Sequence, residues 1–282
     1  MVERKTMQTV RGARTMDGAG VRLTRVLSQR ETKAFDPFLM LDSFDSVDPN
    51  DYLAGFPMHP HRGIETVTYL IEGRIDHEDS LGNRGTILSG ESQWMSAGSG
   101  ILHQEMPKAS GRMLGFQLWL NLPAAEKMSQ PAYLSITRDM IPVAQQDGAR
   151  VRVIGGRFGD AAGVTPRHVP ATLLDVELDA GASLMLPVRS QDTAFVFLIE
   201  GDGRVAGQPV AAKTAALLGA GDAVRLAARE EAPARMIFFA GPPLREPIAW
   251  GGPIVMNTRE ELELAFAELD RGTFIRRGPV GL

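Results

Sequence analysis

Five histidines occur in this chain of 282 residues, and three of them stand in patterned surroundings. GFPMHPHRGIE supplies His59 and His61, and GSGILHQEMP supplies His103 and Glu105. On an extended strand, residues two apart point to the same side. His59 therefore faces with His61, and His103 with Glu105. Two such pairs, brought side by side in a β-barrel, place three imidazoles and a carboxylate around one point, which is a coordination sphere for a transition metal. A lone histidine on a strand is usually a hydrogen-bonded or surface side chain; the two pairs together carry the metal reading. His77, in GRIDHEDSLGN, reads as a solvent-facing or structural residue on a hairpin flank, and His168, in TPRHVPA, as a loop residue. Pro60 cannot donate to a sheet ladder and marks an edge or irregular position between the two histidines.

No other chemistry competes. The chain has no cysteine, which excludes disulfides, thiolate ligands and a cysteine nucleophile. It has no G-x-S-x-G elbow, no phosphate-cradling Walker loop and no dinucleotide fingerprint between a strand and a helix. The net charge is -4 with no broad basic field, so no direct nucleic-acid partner is expected. No apolar run approaches the ~18 residues of a membrane span. MVERKTMQTVRGARTM lacks the apolar core of a secretory signal, and the expected location is cytoplasmic. A sulfur-free set of three imidazoles and one carboxylate suits Fe, Mn, Co, Ni, Cu(II) or Zn, and spacing alone does not choose among them.

The elements that must position these residues are strands. Apolar runs such as TVTYLI, MLGFQLWLNL, TLLDVEL, AFVFLI and RMIFFA are short, rich in Val, Ile, Leu, Phe and Thr, and bounded by Gly, Pro, Asp or Asn. This predicts an all-β chain of sandwiches or barrels. One helix is predicted late, in NTREELELAFAELDRGT. Thr258 is its N-cap, with Glu261 as capping-box partner and Leu262, Ala265, Phe266 and Leu269 on one face. An internal echo divides the chain. TVTYLIEG ends at Gly73 and AFVFLIEG at Gly201, each followed by a strand, a Gly-plus-acid turn and another strand. The predicted domains are 1–135, bearing the metal, and 136–282, ending in the helix. Aligning Gly73 with Gly201 and Gly90 with Gly221 sets Pro187 and Arg189 against His59 and His61, and Ala234 and Met236 near His103 and Glu105. None of the four is a good ligand, so one metal per chain is expected.

FDPFLMLDSF, HPHRGIETVTYLIEG, DSLGNRGTI and QWMSAGSGILHQEMP resemble the pirin family of the cupin superfamily, and GPPLREPIAWGGPIVMNT resembles the C-terminal half of the same family. The resemblance covers nearly the whole chain. It implies a bicupin, two antiparallel cupin β-barrels with a short C-terminal helix, and one iron(II) in the first barrel. It implies that His59, His61, His103 and Glu105 are the ligands. The general cupin pattern H-x-H-x(3)-E selects Glu65 instead, which lies on the same strand face as His61 if that strand is regular. We take Glu105 as ligand and Glu65 as a carboxylate orienting a ligand imidazole.

Some bacterial pirins cleave the flavonol quercetin with dioxygen, and a mammalian member is a transcriptional co-regulator. The expected function is therefore a quercetin 2,3-dioxygenase-type reaction on a flavonol-like substrate, with Glu105, or Glu65, taking the substrate's proton. Four protein ligands on an octahedral ion leave two positions for a chelating substrate, or for substrate and dioxygen. The alternative is a metal-dependent, redox-sensing binding module for a protein partner, for which Arg62, Arg74, Arg84 and Lys108 would form a basic rim.

Overall fold

The computed structural model describes residues 1–276. Strands dominate, and the longest helix is Arg259–Asp270. Two compact units are built from interleaved segments. One comprises Arg14–Leu23, Phe38–Ser135 and Leu244–Leu282, and the other Met1–Ala13, Thr24–Pro37 and Ile136–Pro243. A single cut at 135/136 therefore needs correcting at both ends. Thr6–Arg11 pairs with Thr214–Leu218 as the edge strand of the later unit. The helix belongs to the histidine-bearing unit, where Ile254 of the preceding hairpin bridges to Arg62.

The histidine-bearing barrel consists of two antiparallel sheets. The larger runs, in spatial order, Ala132–Ile136, Ser92–Ser96, Ile64–Glu72, Met113–Asn121, Phe38–Ser46, Val21–Leu27 and Ala13–Asp17. The smaller runs Phe56–His61, Ile101–Pro107, Arg74–Asp79 and Arg84–Leu88. Met113–Asn121, central in the larger sheet, is buried along its whole length, which is why it reads as a nearly continuous apolar run rather than an alternating one.

The second barrel repeats this order strand for strand. Its larger sheet runs Thr6–Arg11, Thr214–Leu218, Thr193–Glu200, Ala234–Gly241, Thr172–Leu178, Ala149–Gly155 and Val143–Gln146, and its smaller one Ser183–Pro187, Ala223–Ala228, Gly203–Val205 and Gln208–Val210. The internal echo is thus two copies of one antiparallel unit. The counterpart of the strand bearing His103 is Ala223–Ala228, not the strand of Ala234 and Met236. Matching Gly90 with Gly221 joined two different turns, one before Ser92–Ser96 and one before Ala223–Ala228. By strand register, Leu186 opposes Val224 as His59 opposes His103. Likewise Val205 opposes Leu226 as His77 opposes Glu105. All four aliphatic residues are buried in the core, so the second barrel is filled with hydrocarbon where the first carries polar groups.

The helix starts as its sequence dictates. The Thr258 hydroxyl accepts from the Glu261 amide, and the Glu261 carboxylate accepts from the Thr258 amide, a reciprocal capping box. Ala265 is buried, with Leu262 and Leu269 packed beside it, whereas Phe266 is 38% exposed. No helix among the described residues is long and apolar enough to cross a membrane.

Candidate metal centre

His103 lies directly opposite His59 across the antiparallel pair of Ile101–Pro107 and Phe56–His61, and Ile101 lies opposite His61. Facing positions on one side of a ladder bring side chains into contact, and here they bring three imidazoles together. Ring centroids are 4.8 Å apart for His59–His61, 4.4 Å for His59–His103 and 5.0 Å for His61–His103. One nitrogen from each ring lies within 4.8 Å of the others. The ladder slips by one residue between His103 and Glu105, at Pro57 and Met58 on the facing strand.

The tautomers are set by the hydrogen bonds. His59 Nδ1 is 2.8 Å from the Pro57 carbonyl and His61 Nδ1 is 3.0 Å from the Pro253 carbonyl. A carbonyl only accepts, so both Nδ1 atoms carry the hydrogen and both Nε2 atoms of the neutral rings present lone pairs. Those two Nε2 atoms face each other at 3.0 Å. Facing lone pairs repel, and a cation shared by both turns the repulsion into attraction. Burial, and then the charge of His59, pushes His61 down to about 3. Burial, with His61, His59 and His77 around it, likewise holds His103 well below the usual histidine range. These rings are therefore neutral ligands at neutral pH rather than cations. Both nitrogens of His103 are buried without a hydrogen-bond partner, a costly state for a polar group that coordination would relieve. The residues present thus fit a metal.

Glu105 stands outside the group of three nitrogens. Its buried carboxylate is cradled by three donors. Oε1 accepts from the Thr68 hydroxyl at 2.9 Å and the Gln93 amide at 2.6 Å, and Oε2 from the Gln117 amide at 2.6 Å. Thr68, Gln93 and Gln117 are register partners on three adjacent strands. In the second barrel the matching set is Val196, Ala216 and Phe238.

Glu65 is placed differently from the sequence expectation. The chain turns at Gly63, whose φ is 75°, so His61 and Glu65 lie on different strands of different sheets. Glu65 and Thr68 are three apart on one regular strand and point to opposite faces. Glu65 is fully buried and accepts from the Trp94 indole at 3.0 Å. The His61 imidazole is oriented by Pro253.

His77 is not solvent-facing. It is buried opposite Glu105, its ring 5.5 Å from His103 and stacked on Tyr133 at 4.4 Å. Its Nε2 is 3.5 Å from Asp79 Oδ2. Burial pushes Asp79 up, but hydrogen bonds from His77, Asn83 and Leu81 outweigh it and hold the carboxyl below its ordinary range. Burial, with the charges of Glu105 and Asp79, raises Tyr133 to about 12. The strand alternation of Ile75, His77 and Asp79 was the sequence signal for this wall, since Ile75 marks the inward face. His168 lies in a loop, as expected.

The supposed basic rim is paired. Arg62 is buried and bonded to Glu268 at 2.6 Å. Arg74 and Lys108 both reach Asp76, at 3.2 and 3.3 Å, and Arg84 reaches Glu78 at 2.7 Å.

Comparison with known proteins agrees with this architecture. Residues 20–120 match the pirin family model, and residues 173–275 match that of the pirin C-terminal cupin domain. A pirin-like protein of Caulobacter vibrioides is 49% identical over 97% of this chain and 100% of its own length. A Pseudomonas aeruginosa protein provisionally named a quercetin 2,3-dioxygenase is 44% identical over 95% of this chain and 97% of its own. The crystal structure of a quercetin 2,3-dioxygenase from Acinetobacter baumannii superposes with a TM-score of 0.89 at 33% identity, covering 96% of this chain and 98% of that one. The three clustered histidines and the doubled cupin barrel are thus those of a bicupin, and the chain belongs to the pirin family.

Proposed function

We propose that this protein is an iron(II)-dependent dioxygenase of the quercetin 2,3-dioxygenase type, acting on a flavonol-like substrate with dioxygen. The observation that carries the reading is the facing pair of Nε2 lone pairs on His59 and His61 beside the unpartnered ring nitrogens of His103. The names of the relatives support the reaction class. His59, His61 and His103 would hold the metal, with Glu105 as the carboxylate. Bound there, iron supplies a Lewis acid that acidifies a substrate hydroxyl and a redox partner for dioxygen.

The chain's own residues do the rest. Glu105 takes the hydroxyl proton, and the Thr68, Gln93 and Gln117 donors hold its carboxylate in place while it does so. Trp119 packs edge-on against His61 at 5.0 Å and presents an apolar wall that excludes water. Glu65, on the far face of its strand, has no part in the proton transfer. The regulatory reading draws no support from the rim, because its four cations are paired with carboxylates.

The test is an anaerobic titration of the iron-loaded protein with quercetin, followed by admission of dioxygen. The expected result is a flavonol absorption shift on binding, and then joint consumption of flavonol and oxygen with carbon monoxide released. Flavonol binding without oxygen uptake in fully iron-loaded protein contradicts the dioxygenase.

A further inference from the structure

The second barrel carries buried Leu186, Val224 and Leu226 where the first carries His59, His103 and Glu105, yet the barrel beside them is not fully packed. A cavity of about 580 Å³ opens there, lined by Pro187, Val188, Asp192, Phe238 and Ala240, among others. Its origin is a deletion of volume. Ala240 opposes Ala194 as Trp119 opposes Thr66, so a methyl group occupies the position of the indole that packs against His61. Phe238 takes the position of Gln117 and turns the floor apolar. The volume lies within the range of small-molecule sites.

One polar group on this apolar lining is unsatisfied. The Asp192 side chain is 2% exposed, and its Oδ2 accepts from Arg189 Nε at 2.9 Å. Its Oδ1 is buried with no hydrogen-bond partner. A buried carboxylate oxygen left without a donor is costly, and a ligand hydroxyl would satisfy it. The surrounding charge is positive. Arg189 lines the cavity, and buried Arg4 donates to the carbonyls of Asp192, Arg189, Ser190 and Gly221. Arg157, exposed on the rim, adds a third guanidinium. Three cations against one carboxylate call for an anionic group on the ligand.

We propose that the second barrel binds a small aromatic hydroxy acid, with its hydroxyl donating to Asp192 Oδ1, its ring against Phe238 and Pro187, and its carboxylate toward Arg157. This site is separate from the metal centre and does not depend on the dioxygenase reading.

The probe is 4-hydroxybenzoate, titrated calorimetrically into the full-length protein and into His103→Ala, with benzoate as the control that lacks the hydroxyl. One molecule per chain should bind, with His103→Ala within about 3-fold of the native protein. Benzoate should bind roughly 10-fold more weakly, the usual worth of one hydrogen bond to a charged acceptor. Arg157→Ala, at an exposed position that the fold does not need, should weaken binding roughly 10-fold, and Asp192→Asn should abolish the preference for the hydroxyl. The proposal is overturned by absence of saturable binding up to about 10 mM, the weak end expected of a ligand this small. It is equally overturned by binding that disappears in His103→Ala, or that ignores both Arg157→Ala and the hydroxyl.

Discussion

His59 and His61 meet Nε2 to Nε2 at 3.0 Å, each with its Nδ1 hydrogen held by a backbone carbonyl. Neither ring can turn its hydrogen inward without breaking that bond. The pair is thereby committed to sharing a cation, and the fold enforces the commitment by burying His61 and bracing the backbone beside it.

The burial has a consequence for pH. The folded-state value of His61 is about 3, below the unfolded value of about 6.5. Between those values the unfolded chain binds a proton that the folded chain refuses, so stability rises with pH there. The contribution is fully present above about pH 6.5 and is lost as pH falls toward the folded value. His103 shifts in the same direction. Urea denaturation of metal-free protein should show stability falling between pH 6.5 and about 5, by about 1.4 kcal/mol per pH unit for each such histidine. His61→Leu should flatten the slope. A native profile that is already flat across this window would show that these rings are not held neutral.

The two carboxylates should separate in metal affinity. Glu105 shares its enclosure with His77 and Thr68, whereas Glu65 points to the other face of its strand and bonds Trp94. In competition with a metal buffer, Glu105→Ala should weaken iron(II) or nickel(II) binding by more than Glu65→Ala does, and by more than the ~10–100-fold typical of losing a partner that only orients a ligand. The reverse ranking would move the ligand role to Glu65.

The brace behind His61 can be tested through stability. The next residue, Arg62, donates from Nε to the Ser99 carbonyl at 2.7 Å and from Nη2 to the Phe274 carbonyl at 3.0 Å, with its guanidinium 4.2 Å from the Phe274 ring. Lys127 Nζ fastens the adjoining Gly63 carbonyl, at 2.8 Å, together with that of Val255 at 2.9 Å. Arg62→Met leaves the Ser99 and Phe274 carbonyls without their donor and Glu268 with only Arg276, at 3.2 Å, and should cost about 3 kcal/mol in urea denaturation. Glu268→Gln, which keeps an acceptor, should cost less. A loss below about 1 kcal/mol for Arg62→Met would mean that the pair behaves as a surface ion pair.

The range of each interaction decides whether the sequence discloses it. Period-two spacing pairs His59 with His61, and a simple antiparallel register sets His103 opposite His59, whereas no local pattern announces the register slip before Glu105 or its place outside the three nitrogens. The capping box of Thr258 and Glu261 is equally local. The group that orients His61, by contrast, lies 192 residues away at Pro253, and no local pattern announces such a contact. Glu65 was misread because Gly63, with its positive φ, ends one strand and starts another, which voids the assumption of a regular strand. Of the two readings of His77, solvent-facing or structural, its burial removes the first; hairpin flanks are usually wet, although the alternation with Ile75 marked it as inward-facing.

Metal analysis of purified, reconstituted protein tests the three-histidine centre most directly. One metal ion per chain is predicted for the native protein and for His168→Ala, with His61→Ala and His103→Ala retaining less than about a tenth of it, as expected when one of only three imidazoles is removed. Full occupancy in His103→Ala, or close to two ions per native chain, would contradict a single site built on His59, His61 and His103.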